Sequence, residues 1–307
     1  MNDNSASALG RAADWTRQNG FVLLFGMIVP VLVFVIFVGY PIIYTLILSF
    51  YEWNGASADR TFVGLANYQA LLHDKYVWVA LQNNAKWLAV SLAFPVCAGF
   101  IIAYVLRSGL VPFPTLVRTA IFFPVTMSLI AVGLMFLLIL NPNFGAFNEA
   151  LRALGLPFLI REWFGDYKVA LYTLAFVSGW AFTGMPMIFY FAGLGDVPKE
   201  TFDAARIEGA GHVRMMTQVA LPQLRPVTAV VVMLTIFESL RAFDLVAVMT
   251  KGAPFGTTNV LGYLVYLESF WNNRFGYGAA ISVMILMLSC ALAAIVLTRL
   301  MKGAFDA

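Results

Sequence analysis

Residues 21–50 read FVLLFGMIVPVLVFVIFVGYPIIYTLILSF. A bilayer hydrocarbon core of about 30 Å needs about 20 helical residues, each rising 1.5 Å. This run exceeds that length. A cleavable signal carries only about 7–15 apolar residues, roughly half as many. The run is therefore expected to be an uncleaved first membrane span. The short polar stretch before it, residues 1–20, is expected to stay outside the bilayer.

Five further stretches have the same character, at about 81–106, 119–140, 169–192, 226–249 and 279–298. Together they predict an all-α integral membrane protein of about six spans. One transmembrane domain then covers residues 21–307, with its longest polar loop at about 193–225. The composition agrees. Hydrophobic residues make up 61% and charged residues 11%, against about 25% charged in soluble domains. Mean hydropathy is +0.82. A net charge of +3 does not suggest a nucleic-acid binder.

Trp53, Trp78, Trp87, Trp163, Tyr167 and Trp271 are expected at span borders, where amphipathic rings settle. Pro30, Pro95, Pro124 and Pro186 fall within spans, where neighbouring helices can satisfy the freed backbone groups. Cys97 and Cys290 lie in apolar runs and read as small core hydrophobes. With both termini inside, the inner segments hold a small excess of Lys and Arg. Arg299 and Lys302 at the very end count most. That bias favours cytoplasmic termini.

The loop between the fourth and fifth spans reads GDVPKETFDAARIEGAGHVRMMTQVALPQLRP. Pro198 suits a first helical turn, and Glu200 suits the positive end of the helix dipole. Gly209 and Gly211 suit the end of that helix. A second short helix over about 212–220 follows, with Pro222 expected to stop it. Ala204 and Ala205 keep the surface free of bulk. Such a knob can sit in a groove on a partner, or lie on lipid headgroups as an ordinary interfacial loop.

Within this loop Asp203-Ala204-Ala205, Gly209, Val219 and Leu221-Pro222 resemble the EAA motif of permease subunits of binding-protein-dependent ABC importers. The longer stretch DAARIEGAGHVRMMTQVALPQLRP is similar to carbohydrate-uptake permeases of the maltose and glycerol-phosphate type. Asp203 stands where Glu is commoner, and Val219 where Ile is. Tyr40-Pro41, SFYEW, FVGLANYQALL and FDLVAVMTKGAPFGTTNVLGYLVY extend the likeness over most of the chain. The resemblance implies a type I importer permease fold in a bacterial cytoplasmic membrane. It also implies that the loop is a cytoplasmic coupling element docked on an ATPase dimer. The implied partners are a second, homologous permease and an extracytoplasmic substrate-binding protein. No Gly-Lys pair occurs, so there is no GxxxxGK[ST] phosphate loop. The chain is expected to bind no cofactor itself and to be no enzyme. ATP and Mg would serve a separate ATPase chain.

Glu238, Arg241 and Asp244 are charges within the expected fifth span. Each costs about 2.5–3.5 kcal/mol at mid-membrane on insertion scales. Spacing of three residues brings Arg241 within reach of both acids, and the three fall in a sector roughly 120° wide. The group reads as a self-neutralising cluster, as a contact to a partner permease, or as a polar wall of a solute path for a sugar or an anionic sugar derivative. Trp180, Tyr190 and Phe189 in the fourth expected span are candidates to stack on a sugar ring or to serve as packing. Asn272 and Asn273 are expected at the outer end of the last span, touching a binding protein or capping a loop. His73 and His212 have no ligand-spaced companion, so no metal site is expected. The competing class is a stand-alone secondary transporter or channel. Against it, no internal repeat is evident.

Overall fold

The computed structural model describes residue 20 and residues 25–300. The expected N-terminal segment, apart from Gly20, and Lys302 lie outside the described residues. Thirteen helices carry the described residues. α1 (Phe25–Leu48), α3 (Lys75–Arg107) and α13 (Phe275–Leu300) are long and apolar enough to cross a bilayer. Three bent pairs have the length and apolar character of spans when each is taken as one. They are α4 (Pro114–Thr126) with α5 (Leu129–Ile139), α7 (Ala170–Phe182) with α8 (Gly184–Asp196), and α10 (His212–Gln223) with α11 (Arg225–Leu240). Shorter helices α2 (Ala66–His73), α6 (Ala146–Ala153), α9 (Lys199–Ile207) and α12 (Leu261–Tyr266) connect them. A two-stranded hairpin, β1 (Tyr51–Glu52) against β2 (Thr61–Phe62), pairs Tyr51 with Phe62. Counted with each bent pair as one span, the helices reach the expected six, but their boundaries differ from expectation for local reasons.

α3 begins six residues before the expected second span because Asp74 caps it. Its carboxylate accepts from the Tyr76 amide at 2.8 Å, satisfying an orphan donor of the first turn. At 33 residues the helix is about 50 Å long. Pro95 is absorbed within it by a widened turn over Leu92–Val96. Pro124, by contrast, sits in a 3₁₀ turn over Phe123–Thr126. Extended Met127 and Ser128 follow, and the chain bends by 101° into α5. The third expected span is therefore two helices.

The fifth expected span ends early. α11 stops at Leu240, and α12 begins at Leu261 after an irregular loop and a wide turn over Val246–Thr250. The reason lies on α3. The side-chain amide of Asn84 donates to the Ser239 carbonyl at 2.7 Å, and its oxygen accepts from the Leu261 amide at 2.8 Å. Its neighbour Asn83 donates to the carbonyls of Thr257 and Asn259, both at 2.8 Å. Backbone groups left over by the helix ends thus find partners inside the protein, as lipid requires.

Close packing is densest where α3 meets α8. A Cβ on Gly99 would fall 2.7 Å from Pro186 Cβ and 2.8 Å from the Met187 amide. Only glycine permits that approach, the small-residue contact by which membrane helices associate. Three buried clusters result. One is centred on Val132, Leu174 and Val246, one on Met187, Ala220 and Leu224, and one on Ala80, Leu261 and Ile281. α1 is different: only 6% of its apolar window is buried, and Phe37 is 73% exposed. Its apolar face is left for lipid or for another chain. Cys97 and Cys290 are exposed too. They sit on outward helix faces and are not core residues as expected, because apolar sequence in a span does not distinguish core from lipid contact.

At the starting end of α3 a polar network ties three elements together. Tyr277 donates its hydroxyl to Asp74 at 2.8 Å, and Arg274 lies 4.3 Å from the centre of the Tyr277 ring. Arg274 pairs with the buried Glu268 at 3.2 Å, and Asn272 donates to the same carboxylate. Asn272 therefore closes a turn. Asn273 is exposed beside it, with a left-handed φ of 53°.

Candidate functional site

Two features combine chemistry with position. The first is the loop between α8 and α11. Pro198 is the residue before α9, one place earlier than the expected first turn, and Glu200 lies in that turn. α9 ends in a Schellman motif. Ala210 N–H donates to Ala205 O and Gly209 N–H to Arg206 O, both at 2.9 Å, with Gly209 at φ +80°. The motif needs a left-handed residue there, which glycine adopts without strain. α10 then runs His212–Gln223. Pro222 does not stop it, because a wide turn over Met215–Ala220 precedes the proline. The break falls at Leu224, followed by an 81° bend into α11.

The knob has two faces. Phe202, Ala205, Ala210 and Met216 pack inward against the buried cluster of α3, α8 and α11. Asp203, Ala204, Ile207, Gly209, Leu221 and Pro222 are exposed, and Val219 is half-buried. Ile207 is 89% exposed and Val213 71%. The two alanines of the motif therefore do different things: Ala204 presents a bare outer surface, whereas Ala205 lets the knob seat on the bundle. Arg206 pairs with Asp203 at 2.9 Å on the exposed side.

The second feature is a cavity of about 220 Å³ within the bundle. Its walls come from α3 (Trp87, Ser91), the Pro124 turn, α7 (Ser178, Phe182) and α11 (Thr235, Glu238, Ser239). Glu238 is the one charged side chain among the described residues lining it. Ser239 Oγ is buried and has no hydrogen-bond partner among the described residues. Most of the wall is apolar, and its polar groups are the hydroxyls of Ser91, Ser178, Thr235 and Ser239 and the Glu238 carboxylate, the usual make-up of a small-solute pocket.

Other expected path residues lie elsewhere. Because α11 ends at Leu240, Arg241 and Asp244 do not continue its face. Neither acid lies within ion-pair distance of Arg241, so the self-neutralising cluster is not formed. Arg241 is exposed, Asp244 half-buried, and neither lines the cavity. Trp180 packs edge-on to Phe136, with ring centres 5.2 Å apart. Tyr190 is 1% exposed and meets Phe100 edge-on at 5.2 Å. Both rings pack against other aromatic rings, and neither lines the cavity. Trp87, expected at a border, is instead 3% exposed in the core and lines the cavity. Its signal was the neighbouring Asn83-Asn84 pair: polar residues one helical turn before a tryptophan mark an inward face.

Helical spans around an interior cavity with one charged lining residue, and a two-helix knob at one end, make up this membrane protein. Residues 95–306 match the family of binding-protein-dependent transport system inner membrane components, and the chain belongs to that family. It is 35% identical, over 86% of its own length and 91% of the relative's, to the probable ABC transporter permease protein YurN of Bacillus subtilis. It is 31% identical to the multiple sugar-binding transport system permease protein MsmF of Streptococcus mutans, over 85% and 89% of the two chains. In fold it matches a chain of a bacterial ABC transporter involved in the import of the acidic polysaccharide alginate, with a TM-score of 0.77 and 18% identity. That match covers 93% of this chain and 96% of the other. The protein is thus a permease subunit with a type I importer fold, and not an enzyme. The stand-alone transporter reading is set aside.

Proposed function

We propose that this chain forms, with a second homologous permease, the translocation path of an ATP-driven importer for a sugar or sugar derivative. The α9–α10 knob is its coupling element, seated on a dimer of separate ATPase chains that use ATP and Mg. An extracytoplasmic binding protein delivers the solute, and both termini lie in the cytoplasm. The observation that carries this reading is the knob. Its exposed Asp203, Ala204 and Ile207 stand beside a helix end fixed by Gly209, while its inner face is locked to the bundle. A projection of this form transmits displacement to the spans that line the cavity, since α10 joins α11 directly through the bend at Leu224. MsmF, named for multiple sugars, and the alginate importer support the solute class.

The experiment introduces Ala204→Trp or Gly209→Asp into the complete transporter. Membrane levels are expected to stay near normal, while uptake and solute-stimulated ATP hydrolysis fall together by at least about tenfold, equivalent to about 1.4 kcal/mol of lost coupling. Normal uptake with normal stimulation in both variants would defeat the coupling role.

A further inference from the structure

The geometry points to a binding site for the phosphate group of an anionic phospholipid, between the end of α3 and the knob. A second cavity, of about 260 Å³, opens there. Arg107 and Ser108 close α3, Gly195 and Val197 close α8, and Lys199, Phe202, Asp203 and Arg206 come from α9. Three cations thus face one carboxylate, and that carboxylate is already paired: Asp203 holds Arg206 at 2.9 Å. Arg107 and Lys199 have no acidic partner within ion-pair distance among the described residues. Asp196 is near in sequence but does not line the cavity.

The arginine is held in place. Its guanidinium lies 5.5 Å from the centre of the Phe191 ring, while Arg118 lies 5.1 Å from the same ring, adding a fourth cation beside the site. A Cβ on Gly195 would stand 3.2 Å from Arg107 Nη2, so the side chain lies flat against a residue without one. Planar guanidinium donors of this kind suit phosphate oxygens. The Tyr104 hydroxyl also lines the cavity, and it lies 3.4 Å from His212 Nδ1 on the knob.

A lipid source follows from what flanks the site. Immediately after Ser108, the turn into α4 exposes Leu110, Phe113 and Leu116. Large apolar side chains beside a basic pocket at the end of a span fit acyl chains next to a charged headgroup. Bound there, the phosphate would bridge a span residue, Arg107, to a knob residue, Lys199. The inference does not depend on which solute is carried or on the coupling role.

The full chain is reconstituted in nanodiscs of phosphatidylcholine mixed with phosphatidylglycerol, and retained lipid is read by native mass spectrometry. The wild type is expected to retain phosphatidylglycerol preferentially. The double variant Arg107→Gln/Lys199→Gln is expected to lose that preference by about tenfold. Arg107→Lys/Lys199→Arg should keep it, and unchanged melting in detergent would confirm that the Gln variant is folded. Equal retention of both lipids by the wild type, or a preference undiminished in the Gln variant, overturns the site. Displacement of the lipid by millimolar inorganic phosphate overturns the lipid source and assigns the pocket to free phosphate.

Discussion

Glu238 and Arg241 stand three residues apart, yet the end of α11 separates their environments. Glu238 reaches the cavity, whereas Arg241 lies beyond the last helical turn, exposed and off the wall. Glu238→Gln removes the sole lining charge seen among the described residues. It is expected to weaken solute uptake by about tenfold, the scale of one charge-assisted hydrogen bond. Arg241→Ala should leave uptake within about twofold. Transport assays at varied solute concentration in the complete importer check both; an Arg241→Ala effect as large as that of Glu238→Gln would reject the assignment. At Gly209 the cost is conformational. Gly209→Ala places a Cβ at φ +80°, a strain of about 1–2 kcal/mol, and should fray the end of α9. Faster amide exchange at residues 205–210, with the rest of the chain unchanged, is the expected reading.

The helices show how side chains from one element set the limits of another. Asn84 on α3 satisfies the carbonyl near the end of α11 and the amide at the start of α12. Asn84→Leu leaves both buried groups unpaired, each costing about 1–3 kcal/mol. We expect a loss of about 2–4 kcal/mol, visible as a lower melting temperature in detergent, together with impaired transport because Ser239 and Glu238 shift on the cavity wall. A melting temperature equal to the wild type would show that the pair does not hold the break. The prolines differ for a related reason. Pro95 is bridged by a wide turn with helix on both sides, whereas Pro124 is followed by two extended residues that turn the chain. A proline alone does not say which outcome follows; the packing around it does.

On the scale of the molecule, α3 separates two ends that carry different chemistry. One end has the Asp74–Tyr277 and Arg274–Glu268 network. The other has the knob and the basic pocket. If the knob is cytoplasmic, Ile207→Cys in a chain lacking Cys97 and Cys290 is expected to react with a membrane-impermeant maleimide only from the inner side. Ile207 is 89% exposed in this chain, and the labelling is done on cells making the permease without its ATPase, which would cover the knob. Labelling from outside intact cells would reverse the orientation. The sparsely buried α1 belongs to this scale as well. Its apolar length suits a bilayer, but its faces find little cover within the chain.

Six spans, their approximate places and the loop from Asp203 to Pro222 were legible in the residues. Hydrophobic length is a local property that lipid reads directly, and the glycine at a helix end states its own backbone angle. The sequence also carried the kinship, because the motif is contiguous. Tertiary structure alone decided which polar residues meet. Asn84 reaches across more than 150 positions to end a helix, which removes Arg241 and Asp244 from the expected face and brings Ser91, Thr235 and Ser239 around Glu238. It also decided which side of an apolar helix faces lipid and which faces core. In a span nearly every side is apolar, so periodicity is weak, and only packing distinguishes Trp87 in the cavity wall from Phe37 on the outside.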